Sequence, residues 1–322
     1  MREYSLYIAA CTKAGGIYHY YLSESGRLRL AGFVAAHRPM YLIREGQKLY
    51  VLLRAPFAQS DESGVQTYAI RFDGSLRPEG PCVSALGKVS AHLAVKNGQV
   101  YTANYSSGSI AKLPSKMVQH MGHGPNAARQ DMPHPHFIAF TPDKSHIAVA
   151  DLGLDTVFLY NEQLEAVSSA KVPDGSGARH LAFSPKGDFI YCINEMSSDV
   201  TVFSLENRKL SAIKTVRALP QNFAGLTTAA AVRLHDGELY VSHRGYDHIT
   251  RFLCEDDQLT VKEQLPCGGC GPRDFSLCGD LLVTANEQSN NVVVYRKING
   301  CYQCTDEAAL PSPLCVMFAD RE

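Results

Sequence analysis

The chain has 322 residues, 45% of them hydrophobic and 20% charged, and its 31 Lys plus Arg against 32 Asp plus Glu leave a net charge of −1. This is the composition of a folded protein long enough to bury a substantial core. It excludes the bulk positive field on which nucleic-acid or anionic-membrane binding depends, so an anionic ligand has to be held by local clusters of Arg and His.

Residues 4–10 read as a strand. Glu3 directly follows Arg2, and Lys13 comes soon after, which is unlike a secretion signal. No run approaches the ~18 apolar residues of a membrane span. A cytoplasmic protein with reduced thiols is expected.

From there one pattern keeps returning. A short apolar strand is followed by a turn, a second strand ending in a polar residue, a loop of small residues, and an alternating third strand. Weak copies surround Tyr7 and Tyr50. The clearest run over residues 136–152, 179–195 and 273–287, with weaker ones over 92–105 and 231–244. Each is followed by an alternating segment, such as DTVFLY, SDVTVF or NNVVVY. The turns Pro142-Asp143-Lys144, Pro185-Lys186-Gly187 and Asp236-Gly237 mark antiparallel hairpins. Equivalent second-strand positions are Tyr7, Tyr50, Tyr101, Ala148, Tyr191, Tyr240 and Val283, about 46 residues apart, the length of one four-stranded blade.

The pattern predicts one all-β domain over residues 1–322: a seven-bladed β-propeller of four-stranded antiparallel blades with essentially no α-helix. Residues 313–318 resemble the first strand of a blade and residues 4–10 a second strand. The C-terminal strand is therefore expected to join the N-terminal blade and close the ring, leaving no sheet edge there. The chain has no Trp, so a Trp-Asp type of propeller is excluded.

If the first strand of each blade lines the channel, its start and the end of the second strand share one mouth. Strand starts give His136, Arg179 and Arg273. His92, His180 and Asp274 fall one residue later, and strict alternation points them to the opposite face. Strand ends give Asn104, Asp151, Asn194, His243 and Asn286. The residues after them are Tyr105, Leu152, Glu195, Arg244 and Glu287. The long loop 119–136 brings His120, His123, His134 and His136 to the same mouth, and loops of that length often carry function. Asx residues at strand ends also serve plain turn roles. Arg244 and Glu195 are stronger signals, because charges near a channel need a reason to be desolvated, although a structural ion pair would also supply one.

His120-x-Gly-x-Gly-Pro-Asn126, Arg129-Gln130, Pro133-His-Pro-His136, Asp151-Leu-Gly153, Arg179-His-Leu-Ala-Phe183, Asn194-Glu195, Arg244-Gly245 and Gly271-Pro-Arg-Asp-Phe275 form a specific ensemble. Nearly the whole chain resembles the seven-bladed lactonase family, which holds propeller-type 6-phosphogluconolactonases and the fungal carboxymuconate cyclase. The resemblance implies His136, Arg179, Glu195 and Arg244 as catalytic residues. His134, Arg273, Asn104, Asp151, His92 and His120 are expected on the substrate. The chain departs from the family pattern at Cys267-Gly-Gly-Cys270, Ser90-Ala-His92 and the small-residue stretch 227–232.

The expected chemistry is water attack on a small anionic sugar lactone. Glu195 or His136 would be the general base, and Arg179 and Arg244 would clamp the anion or stabilise the oxyanion. No G-x-S-x-G nucleophile is present, which favours direct water attack. The same residues would serve a carboxymuconate-type cycloisomerase, and a non-catalytic binding propeller is the third reading. No cofactor and no metal are expected. Oxygen ligands such as Asp151 and Glu195 suit calcium, but the neighbouring arginines oppose a cation. Cys267/Cys270 and Cys301/Cys304 should lie at opposite ends of a strand, too far apart to share zinc. Cys267/Cys270 also lack the helix start that activates redox pairs.

Overall fold

The computed structural model describes residues 3–57 and 59–319. Twenty-eight strands form seven antiparallel sheets of four, with no helix among the described residues. Six blades run in simple chain order. The remaining one takes its inner strand, Pro313–Phe318, from the C-terminal end and pairs it with Glu3–Ala10, matching Leu6 to Phe318 and Ala9 to Cys315. We number this blade one and the rest in chain order. The inner strands of blades two to seven are Pro39–Glu45, Ser90–Lys96, Pro135–Phe140, Ala178–Phe183, Thr228–His235 and Pro272–Cys278. Each inner strand touches the next, and the last returns to the first, so the ring is closed.

Apolar side chains at alternate positions leave both faces of each blade and meet those of the neighbouring blades. The result is one buried cluster in each of the seven blade interfaces, such as Phe137, Ala148 and Leu159 against Ile190 and Phe203 between blades four and five. The tyrosines that mark the repeat add a tie across three of these interfaces. Tyr7, Tyr101 and Tyr191 donate their hydroxyls to the carbonyls of Gly74, Glu162 and Asp256, at 2.6, 3.1 and 2.6 Å. Each acceptor lies in the turn between the third and fourth strands of the next blade. A buried phenol thus finds its partner on the neighbouring blade.

One local feature places the site. Every inner strand carries a β-bulge at its mouth end. In blade five Ala178 pairs with Asn194 and His180 with Ile193, leaving Arg179 as the extra residue. The extra residues elsewhere are Met40, Ala91, His136, Arg273 and Leu314, with Ala230–Ala231 sharing the irregularity in blade six. In a radially standing sheet, a regular inner strand sends its side chains to the adjacent blades. A bulge re-aims one of them, here toward the channel.

The bulge also corrects the placement of His92, His180 and Asp274. An inserted residue breaks the period of two, so the residue after it does not swing to the opposite face. These side chains stay in the channel and form a plug with their neighbours. The ring centroids of Tyr41 and His92 are 4.0 Å apart, those of His92 and Phe137 4.2 Å, and those of Phe137 and His180 5.1 Å. On the other side Arg233 donates to Asp274 at 2.6 Å, and Asp274 accepts the amide of Val316 at 3.1 Å, tying the closing strand to blade seven. Beyond the plug a separate cavity of about 650 Å³ opens at the far mouth, lined by Tyr41, Arg44, His92, Phe137 and Arg233 together with apolar side chains.

Candidate active site

Glu195 stands at the near mouth, just after the second strand of blade five, Phe189–Asn194. Its backbone is held from both sides: its amide donates to Gly177 O at 2.7 Å, and its carbonyl accepts from Ala229 N of blade six at 2.9 Å. The side chain is almost fully buried, at 5% exposure. Oε2 accepts from Arg179 Nε at 2.7 Å. Oε1 accepts from Arg129 Nη2 at 2.7 Å and lies 3.4 Å from Arg244 Nη2. His136 Nε2 is 4.0 Å from Oε2. One carboxylate is therefore shared by three guanidinium groups from three parts of the chain, with an imidazole alongside.

The arginines differ in their supports. Arg179 is the bulge residue of blade five, 1% exposed, and also donates from Nη1 to the carbonyl of Ala230. Arg244 ends the second strand of blade six, Glu238–Arg244, and donates from Nη2 to Ala229 O at 3.1 Å, while its Nε has no partner among the described residues. Arg129 reaches in from the long loop, whose turn is closed by Gln130 N donating to Asn126 O at 2.7 Å.

Burial by itself would raise the Glu195 carboxyl. Arg179 and Arg244, with His136 and the bond from Arg129, outweigh it and hold the group well below the usual carboxylate range. His136 is pushed the other way, well below the usual imidazole range, by burial first and then by Arg179, with Glu195 opposing. Arg179 is lowered to about 9 by burial, with Arg273 and Arg244 adding to the effect and Glu195 countering it. The resting state at neutral pH is thus an ionised Glu195, charged arginines and a neutral His136.

These groups face a cavity of about 320 Å³ lined by the charged Arg54, Arg129, Arg244, Arg273 and Glu195 and by the neutral His136. Arg179 lies beneath, with His136 and Arg273, around a smaller void toward the plug. Arg273 is loosely paired with Glu287 at 3.5 Å. A cation-rich cavity around a neutral imidazole can hold an anion, stabilise a developing oxyanion and accept a proton. It suits a metal ion poorly. Glu195 is already occupied, and among the described residues no three His, Cys, Asp or Glu side chains converge on a metal-binding arrangement.

Of the side chains singled out from sequence, His136, Glu195, Arg244 and Arg273 line this cavity and Arg179 underlies it. The others stand behind it. His134 stacks on Tyr105 at 4.3 Å, takes the Tyr105 carbonyl at 2.9 Å, and so backs a tyrosine that does line the cavity. Asn104 is fully buried and ties Ser90 Oγ at 2.6 Å to the carbonyls of Ala85 and Leu86. His120 sits between Asp151 Oδ2, 2.6 Å from its Nδ1, and the Tyr160 hydroxyl, 2.8 Å from its Nε2. Asp151 Oδ1 also accepts the amides of His134 at 2.7 Å and Leu154 at 3.2 Å, so this buried chain anchors both ends of the long loop. His92 belongs to the channel plug, with Nδ1 2.9 Å from Ile138 O and its imidazole lowered to about 3 by burial.

Arg129, Arg54 and Tyr105 complete the cavity wall, although none of them was expected to be catalytic or on the substrate. Arg54 and Tyr105 had a legible signal: each follows the second strand of its blade, in the register that holds Glu195 and Arg244. Arg129 had only its place in the long loop and in the Arg129-Gln130 motif of the resemblance, because its partner lies 66 residues away. The cysteine pairs stay apart from this chemistry. Cys267 is buried and its thiol donates to Gly269 O at 3.1 Å, whereas Cys301 and Cys304 are exposed on an outer strand, Cys301–Ala309.

Comparison with known proteins agrees with this architecture. Residues 5–318 match the family described as "Lactonase, 7-bladed beta-propeller". A Staphylococcus aureus protein of uncharacterised function is 31% identical, the match covering 97% of this chain and 99% of that one. Among solved structures, a Lactobacillus plantarum protein superposes with a TM-score of 0.90 at 29% identity, covering 99% of this chain and 100% of its own. A Bacteroides fragilis protein provisionally assigned as a 6-phosphogluconolactonase gives 0.88 at 27% identity, covering 99% and 98%.

Proposed function

The chain belongs to the seven-bladed β-propeller lactonase family, and we propose that it hydrolyses a small anionic lactone in the cavity around Glu195. The observation that carries this reading is the shared carboxylate: Glu195 locked by Arg129, Arg179 and Arg244, with His136 Nε2 4.0 Å from Oε2.

Of the two candidate bases we take His136. Both oxygens of Glu195 accept guanidinium donors, which strips the carboxylate of basicity. His136 is neutral; burial and Arg179 lower its basicity too, and the adjacent Glu195 charge opposes that effect as the proton arrives. A separation of 4.0 Å is too long for a direct hydrogen bond and suits a bridging water. That water attacks the lactone carbonyl while His136 takes its proton, and the Glu195 charge offsets the imidazolium that forms. Arg244 and Arg273 hold the oxyanion and the acidic part of the substrate, as charge-assisted donors in a restricted cavity. Collapse of the tetrahedral intermediate breaks the ring C–O bond. His136 returns the proton to the departing alkoxide, and a hydroxy acid leaves.

The test is a panel of lactones led by 6-phosphogluconolactone, assayed with and without chelator and alongside a carboxymuconate. Hydrolysis that is insensitive to chelation and lost in a folded His136→Gln variant supports the proposal. Turnover of the carboxymuconate alone would favour cycloisomerisation. Binding without turnover of either would favour a ligand-binding propeller.

A further inference from the structure

The cavity beyond the plug, at the opposite end of the channel from Glu195, measures about 650 Å³, within the roughly 300–1,000 Å³ of small-molecule sites. We propose that it is a second ligand site, which takes a small aromatic carboxylate, its ring lying against the plug and its carboxylate meeting Arg44. The inference rests on this cavity and stands apart from the lactonase reading.

Shape is the first argument. Beyond the bulge, positions two residues apart on an inner strand face the same way. Tyr41, His92, Phe137 and His180 fill one layer of the channel and make the plug. Two residues on, opposite the marker positions of the repeat, the same strands carry Ile43, Ala94, Ala139 and Ala182. Three of these four are alanine, so the channel widens directly beneath an aromatic floor, of which Tyr41, His92 and Phe137 line the cavity. In its wall Ile43, Phe183, Leu234 and Met317 come from four different blades, and each is only half-buried. Large apolar side chains left partly open in a concavity suit an apolar body, and a floor of rings favours a planar one.

Charge is the second argument. The described lining holds two guanidinium groups, Arg44 and Arg233, and no carboxylate. Arg233 is already paired with Asp274 at 2.6 Å. Arg44 meets no carboxylate among the described residues: its Nε donates to Gly46 O at 2.7 Å, and its two Nη groups are left for a ligand. A guanidinium fork matches the two oxygens of a carboxylate. The near-mouth cavity differs in kind. There four arginines surround an ion-paired Glu195, which suits a polar anion, whereas here one unpaired cation borders an apolar wall. The two ends of the channel are therefore built for different molecules.

Calorimetry with 2-naphthoate as the probe tests the assignment, on the wild type and on variants whose folding is checked by thermal melting. The expected result is saturable binding at a single site of the wild-type protein. Arg44→Gln should weaken it roughly tenfold, the share of one charge-assisted pair. Ala139→Leu, which fills the cavity from its wall, should weaken it by a similar factor or more. Arg273→Gln, at the near mouth, should leave it unchanged. Absence of saturable binding overturns the proposal, and so does binding that Arg44→Gln and Ala139→Leu leave intact or that Arg273→Gln abolishes. Arg44 is half-buried and carries no ion pair among the described residues, so its replacement keeps the test decisive if Ala139→Leu does not fold.

Discussion

His136 Nε2 faces Glu195 Oε2 across 4.0 Å, beyond direct hydrogen-bond distance. The bulge in the inner strand of blade four creates this relationship, since it turns His136 into the channel while Pro135 and Phe137 keep their pairing with the next strand. The base and its charge partner are therefore set by backbone geometry on two separate blades. Replacing His136 by Gln should preserve the fold and lower kcat by roughly 10²- to 10⁴-fold, with KM little altered. Steady-state kinetics with a melting curve for the variant will check this, and a comparable kcat would remove His136 from the base role.

Arg244 Nη2 donates to Ala229 O and lies 3.4 Å from Glu195 Oε1, while the side chain lines the cavity. Arg244→Lys retains the charge and loses the fork. The variant should melt near the wild-type temperature and lose about 2–4 kcal/mol in kcat/KM, the range for one key oxyanion donor. Wild-type kinetics in a folded Arg244→Lys protein on a confirmed substrate would sink the clamp assignment.

Stability should fall on acidification from near neutral pH. His92 and His243 are lowered to about 3 by burial, with His248 adding to the effect at His243, and His136 and His180 are also well below the usual range. Below the ordinary value of 6.5 the unfolded chain takes up protons that the folded protein refuses. The folded state then loses about 1.4 kcal/mol per pH unit for each such histidine until its own pKa is reached. Glu195, whose carboxyl is depressed, adds a further loss in the carboxylate range, again as pH falls. His243 lies away from the cavity and bonds Thr250 at 3.1 Å, so His243→Gln should flatten the curve by one histidine's share. Denaturant titrations between about pH 5 and pH 7.5 read the slope, and an unchanged slope in the variant would contradict this account.

The Asp151–His120–Tyr160 chain anchors the loop that delivers Arg129 to Glu195. Asp151→Asn keeps the shape and weakens the bonds to His120 and to the His134 amide. A loss of about 1–3 kcal/mol in stability is expected, together with faster amide exchange across residues 120–134. Loss of activity without either change would assign Asp151 a direct part in the chemistry instead.

Cys267 is buried, and burial pushes its thiol up to about 12, so it stays protonated and unreactive at neutral pH. A Cys267→Ser/Cys270→Ser protein should keep most of its activity and bind no zinc of its own. A folded double variant with little activity would show that the pair contributes to catalysis.

The repeat, the turn residues and the matching ends of the chain were enough to specify blades, their number and the closure by residues 313–318, because strand alternation and hairpin turns are encoded locally. The same local code placed His136, Arg179, Glu195 and Arg244 at one mouth. Tertiary structure decided which side chains enter the channel. Each bulge is defined by pairing with another strand, so strict alternation sent His92, His180 and Asp274 the wrong way. It also decided that His120 and Asp151 spend their hydrogen bonds on the loop, and that Arg129 and Arg54 join the cavity wall. These residues are brought together by the curvature of the ring, and the spacing of residues along a single strand carries no record of that curvature.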